Sequence, residues 1–170
     1  MSSPISLQHL QGGDALAALG DALVRVAESS LFAWAEPCDA ARFEELLAAR
    51  DAGEPWLSAS VAFVGPFEGI ATLSLPEALA VDLCASFSGL AAEALAADQV
   101  RDFTGELANM ACGAWLTYSY RSDRFDLRAP VVSTAVRPEG ATGAGASAGM
   151  TLNDAPIRLA LSPTDPAGRS

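Results

Sequence analysis

The chain contains no lysine: all ten basic residues are arginine, set against 21 acidic residues for a formal net charge of -11. Without lysine there is no Walker A loop, no kinase-type phosphate-binding lysine and no Schiff base. A strongly acidic chain repels the phosphates of nucleic acid and of anionic membranes, so neither is expected as a partner. The one histidine, His9, stands in a polar start. That removes the usual general base and most zinc sites. Three cysteines, Cys38, Cys84 and Cys112, are scattered and odd in number, with no C-x-x-C pair. A disulfide framework is therefore not expected, and a reducing cytoplasm is. No secretory h-region and no apolar run of about 18 residues is present, so a soluble cytoplasmic chain is expected.

What is present is an economical apolar set. Hydrophobic residues make up 51% of the 170 positions and charged residues only 18%, which suits one folded domain and not a disordered chain. Alanine and leucine dominate, which favours helices. Residues 1–12 read as a flexible tail, 13–162 as a single domain and 163–170 as a Pro- and Gly-rich disordered tail. Asp14 opens a helix with Leu16, Leu19, Leu23 and Val26 at helical spacing, running to about Ser30. Asp39 caps a short helix through Phe43, Leu46 and Leu47, ended by Gly53 and Pro55.

The apolar period then changes. Leu57, Ala59, Val61 and Phe63 alternate with small or polar residues, as in a strand. Gly65-Pro66 is a turn, and Phe67 to Ser74 reads as the antiparallel return. Ser74 and Glu77 form a capping-box pair before a helix through Leu79, Leu83 and Phe87. A long helix is expected from about Asp98 to Tyr118. Phe125 to Val136 reads as a strand interrupted at Pro130, at an edge or a bulge. Glu139 to Gly149 reads as a flexible loop. Met150 to Leu152 and Ile157 to Leu161 pair across Asn153-Asp154, which is hairpin chemistry. Helices combined with antiparallel hairpins make the fold class α+β, with two long helices packed on an antiparallel sheet of about six strands.

The long helix carries the chemistry. At about 100° per residue, Phe103, Leu107, Met110 and Ala114 share one face, flanked by Val100 and Ala111, and form a core-facing seam. The other face holds Asp102, Gly105, Glu106, Asn109 and Gly113. Glu106 and Asn109 are i,i+3 neighbours, so their side chains point the same way. A mid-helix glycine costs roughly 0.8–1.0 kcal/mol relative to alanine, so Gly105 and Gly113 suggest a close approach to the backbone beside Asn109. An E-x-x-N spacing alone occurs on many solvated helix faces and says little.

The stretch Gly105-Glu106-Leu107-Ala108-Asn109-Met110-Ala111-Cys112-Gly113, preceded by Asp102 and followed by Pro130, resembles the phosphatase helix of the CheC/CheX/FliY chemotaxis phosphatases. The hairpin from Phe63 to Leu75, the helix from Pro76 and the strand from Phe125 to Pro130 follow in the family's order. The resemblance covers roughly residues 56–162, with the Asp14 helix as the expected first helix. The first helix carries no second E-x-x-N, so the chain is most similar to CheX-like, single-site members. Residues 38–53 look like an insertion.

That resemblance implies a hydrolase acting on the aspartyl phosphate of a CheY-like response regulator, in chemotaxis or another two-component pathway. The chain would need no cofactor of its own, because a divalent metal (Mg) and a lysine are expected on the partner receiver. Asn109 would orient the attacking water, since an amide both accepts and donates hydrogen bonds without ionising. Glu106 would pair with the receiver's lysine. Asp102, Gly105 and Gly113 would support docking, although Asp102 fits a solvated charge near a helix start equally well. Cys112 reads as a small buried apolar residue, and Trp115, Tyr118 and Tyr120 as core or interface. CheX-like proteins pair through sheet contacts, so a homodimer through the strands at Phe125 to Val136 and Met150 to Leu161 is expected. The competing expectation is a non-catalytic adaptor that binds a receiver or flagellar-switch protein with the same helix.

Overall fold

The computed structural model describes residues 10, 13–135 and 145–164. Its elements run α1 (Gly13–Val26), a π-helical turn (Ala27–Leu31), β1 (Ala35–Pro37), α2 (Ala40–Ala48), β2 (Trp56–Val64), β3 (Glu68–Pro76) and α3 (Glu77–Ser88). A 3-10 turn (Ala92–Ala94), α4 (Ala97–Ser119), β4 (Asp126–Leu127), β5 (Val131–Ala135), β6 (Ala146–Leu152) and β7 (Ala155–Ser162) complete it. The strands form one seven-stranded antiparallel sheet in the order β1-β6-β7-β3-β2-β4, with β5 also on β2. The α+β expectation, helices on an antiparallel sheet, is thus the fold observed.

Alternation along the strands decides the layers. Leu57, Ala59, Val61 and Phe63 of β2 face Leu75, Leu73, Ala71 and Gly69 of β3 in register. Ile157, Leu159 and Leu161 of β7 continue the same buried side. Against it lie α1, over β6 and β7, and α4, over β2 and β5, with the two helices also packed on each other. Leu16, Leu19, Leu23, Leu107, Ala111 and Trp115 supply the facing helical contacts. Each fully buried leucine contributes about 1.5–3 kcal/mol relative to exposure, so this single layer holds most of the fold together. Phe63 and Trp115 meet edge to face at 5.4 Å, and Phe67, Tyr120 and Phe125 extend that aromatic cluster.

The opposite side of the sheet is polar and small. Ser58 and Ser74 hydroxyls bond at 2.7 Å, and Ser60 and Thr72 at 2.9 Å. Part of this side is covered by α2, whose Phe43 and Leu47 form a second cluster with Trp56. Phe43 lies directly on Gly149, where a Cβ would meet the ring at 2.3 Å, and Arg158 stacks over the same ring at 4.9 Å. The segment at 38–53 therefore caps a sheet face that no helix of the main layer reaches. Asp39 caps α2 as expected, its carboxylate accepting from the Arg42 N–H.

Several boundaries differ from the sequence reading. The expected capping box at Ser74 is absent: β3 continues to Pro76, Ser74 pairs across the sheet, and no side chain caps α3. Burial of Leu75 and pairing of Leu57 with it hold those two extra residues in the strand. In α3, Leu79 and Leu83 are buried but Phe87 is 58% exposed. Within the expected Glu139–Gly149 loop, β6 begins already at Ala146; residues 136–144 lie outside the described residues. Asn153 and Asp154 both take positive φ, 47° and 66°, as a two-residue hairpin turn requires. Of the two segments expected at a sheet edge, only the first lies there. β7 is internal, and β6 is covered by β1. Leu10 is buried against Gly69; the remainder of residues 1–12 is outside the described set.

Candidate functional site

Helix α4 begins at Ala97, where the Gln99 side chain accepts from the Ala96 N–H at 2.8 Å. Its buried residues are Val100, Thr104, Gly105, Leu107, Ala108, Ala111, Cys112, Trp115 and Leu116. The expected seam is therefore rotated. Leu107 and the flanking Val100 and Ala111 are buried, but Phe103, Met110 and Ala114 are only half-buried and lie at the border of the core. Thr104 fits inside because its hydroxyl donates to the Val100 carbonyl at 2.8 Å. Cys112 is wholly buried, and burial pushes its thiol up to about 12. That is the inert apolar role its sequence position suggested.

Glu106 and Asp102 are exposed and Asn109 is half-buried. All three project from the side of α4 away from the sheet, so the helix brings them together as one acidic-amide row. Neither carboxylate nor the Asn109 amide has a hydrogen bond or ion pair to another described residue. The neighbouring cation on this helix, Arg101, is turned away: it donates to the Val132 carbonyl at 2.5 Å and to Thr134 at 3.1 Å. That fastens α4 to edge strand β5.

The glycines do not lie on a bare surface. Gly105 is buried, and a Cβ there would meet Pro130 at 3.1 Å and Val132 at 3.3 Å. Gly113, half-buried, would meet Leu127 at 3.8 Å. The close approach that Gly105 permits is by the chain's own β4–β5 segment. Pro130 lies over Gly105 and Leu127 near Gly113, and the residues between them run beside β2, where the Arg128 N–H bonds the Ala62 carbonyl at 2.8 Å.

On the other flank of Glu106 lies a groove of about 340 Å³ between α4, α3 and the π-helical turn. Leu31, Cys84 and Leu107 form its floor and Phe87, Phe103 and Met110 its walls. The sequence reading assigned Phe103 and Met110 to a core-facing seam and gave Phe87 only as a position of the helix before it. Apolar positions one turn from two carboxylates were the only available sign that they border the site. Among the described residues no group of three or more His, Cys, Asp or Glu could hold a metal ion, and no helix is long and apolar enough to cross a membrane.

Comparison with known proteins fits this architecture. Residues 57–139, which include all of α4 and, but for Trp56, strands β2 to β5, match the family model Chemotaxis phosphatase CheX. No curated protein sequence matches the chain significantly. The chemotaxis protein CheX of Vibrio vulnificus is similar in structure with a TM-score of 0.67 at 19% identity, over 89% of this chain and 97% of that one. A CheC-like superfamily protein from Shewanella gives 0.66 at 19%, over 91% and 99%. A CheX in a CheX–CheY–BeF3–Mg2+ complex from Borrelia burgdorferi gives 0.60 at 15%, over 89% and 99%. The fold is thus that of CheC- and CheX-like proteins, and the segment that carries Glu106 and Asn109 is similar to the CheX family.

Proposed function

We propose that this chain accelerates hydrolysis of the aspartyl phosphate on a CheY-like receiver, with Asn109 orienting the water and Glu106 fixing the docked geometry. The observation that carries the reading is the pairing of an unengaged amide with an unengaged carboxylate, one helical turn apart on the outer side of α4. Asn109 has the accepting carbonyl and donating NH2 that in-line water attack calls for. Its helix is fixed on a rigid sheet by Leu107, Ala111 and Trp115. Since phosphoryl transfer needs little covalent help from the protein, positioning is the main contribution available to such a side chain.

Glu106 is suited to a charge-assisted bond with a receiver lysine, because it meets no described cation within its own chain. A divalent metal would belong to the receiver. Asp102 would add negative field along the same row. Gly105 and Gly113 act indirectly in this reading, Gly105 by letting Pro130 and Val132 pack closely on α4. Self-association is proposed through the exposed edge at β5, where Val131 is 69% exposed; light scattering at micromolar concentration tests it.

The test of function is decay of a panel of phosphorylated CheY-like receivers with and without the protein, under single-turnover conditions. The reading requires that at least one receiver lose phosphate faster at saturating protein. Binding to a phosphorylated receiver without faster decay would instead establish a non-catalytic adaptor.

A further inference from the structure

We infer that the groove beside Glu106 is a specificity pocket, taking an apolar side chain of the receiver that is flanked by a lysine or arginine; this rests on the receiver-directed reading above. Three observations converge on it. The walls are apolar and left uncovered: Phe87 is 58% exposed, and its ring meets half-buried Phe103 at a centroid distance of 5.6 Å. Leaving such surface in water is unfavourable, and an apolar occupant removes it.

The second observation is charge. Asp102 and Glu106 line the groove and neither has a cationic partner among the described residues. Arg101, next to Asp102 in the chain, is engaged by Val132 and Thr134. An occupant that carries positive charge beside its apolar group therefore satisfies both features at once, and an anionic segment is repelled.

The third is continuity. Glu106 borders the groove and also stands one turn from Asn109. A receiver bound across Glu106 and Asn109 must overlie the groove as well. The about 340 Å³ of open space accommodates one or two side chains, and its uncharged polar lining residues are engaged, the Ser88 hydroxyl donating to the Cys84 carbonyl and the Gln99 side chain accepting from the Ala96 N–H. The groove would then select among receivers, while the Glu106–Asn109 pair, indifferent to receiver sequence, would act on whichever is held.

The experiment measures two quantities for each receiver of the panel. One is binding of the beryllofluoride- and Mg2+-loaded receiver by calorimetry; the other is the single-turnover decay rate against protein concentration. Phe87→Ala and Phe87→Glu are compared with the parent and with Ala41→Ser, a control at an exposed position of α2 on the opposite side of the sheet. Phe87 is mostly exposed, so its truncation leaves the core intact. The expected result is at least a tenfold rise in the dissociation and half-saturating concentrations for Phe87→Ala, more for Phe87→Glu, with the plateau rate kept. Ala41→Ser should match the parent, and Asp102→Asn should weaken the salt dependence of binding. If the parent accelerates decay and Phe87→Ala and Phe87→Glu both stay within twofold of it, the groove has no role and the phosphatase reading stands. If the parent binds without accelerating decay and the Phe87 variants lose binding, the groove inference holds and the phosphatase reading falls. If the parent neither binds nor accelerates decay of any receiver, both fall.

Discussion

The two sides of α4 are built from the same 23-residue helix and obey opposite rules. Toward the sheet, Thr104 bonds the Val100 carbonyl, Leu107, Ala111 and Cys112 are sealed from water, and the buried Trp115 Nε1 is the one polar atom without a hydrogen-bond partner among the described residues of the helix. On the outer side, Asp102, Glu106 and Asn109 make no bond to another described residue. A folding argument accounts for the first side but for that one atom, and for the second not at all. The difference teaches where stability and function separate here: substitutions on the inner side should change folding free energy, and substitutions on the outer side should change receiver handling at nearly constant stability.

The largest effect is expected on the inner side at alkaline pH. Burial raises the Cys112 thiol from its ordinary 9.0 to about 12. The folded state thus keeps a neutral thiol while the unfolded chain ionises. The resulting stability is fully present below pH 9 and is lost as pH rises from about 9 toward 12, by up to about 1.4 kcal/mol per pH unit. Tyr120, raised by burial and then by Asp123, acts in the same direction. Urea unfolding at pH 8 to 11 should show this fall, and Cys112→Ala should flatten it. An equally steep fall in the variant would show that the inner side is not as dry as its packing indicates.

Asn109→Ala should leave urea unfolding within about 1 kcal/mol of the parent, because a half-buried amide without partners is being removed. Its saturating dephosphorylation rate should drop on the order of 100-fold or more, toward the receiver's own rate. Retained acceleration at saturation would remove Asn109 from the water-positioning role.

Glu106→Ala should weaken receiver binding by about 1.5–3 kcal/mol, the worth of a hydrogen bond to a charged group. Calorimetry against a beryllofluoride-loaded receiver reads this directly. An unchanged affinity would mean that the carboxylate meets no lysine.

The smallest effect concerns the border between the two sides. Gly105 would place a Cβ 3.1 Å from the rigid Pro130 ring, whereas Gly20 of α1 would place one 3.3 Å from the flexible Met150 sulfur. Alanine gains about 0.8–1 kcal/mol of helix propensity at either position. Met150 can give way, so Gly20→Ala should stabilise by up to that amount. Pro130 and β5 cannot, so Gly105→Ala should destabilise and shift Pro130 and Val132 away from α4. Thermal unfolding of the two variants should move in opposite directions.

What the sequence by itself determined was periodicity and chemistry. Period-two alternation from Leu57 to Phe63, the Asn153-Asp154 turn and the Asp39 cap made the hairpins and α2 legible, because each is a local backbone preference. The spacing of Glu106 and Asn109 placed them on one side of one helix. The resemblance around them pointed to the same family whose model matches residues 57–139. What only the tertiary structure decided was what faces each residue. Gly105 looked exposed, and Phe103 and Met110 looked buried, because a helical wheel gives angles and not neighbours. Burial of Gly105 was set by Pro130, some 25 residues away, and the groove by α3 and the turn that ends at Leu31. Ser74 likewise satisfied a local capping pattern yet joined a strand, since pairing with Ser58 and burial of Leu75 outweigh an N-cap worth about 1 kcal/mol. Local preferences of that size are fixed by the sequence only until a long-range contact of equal or greater magnitude competes with them.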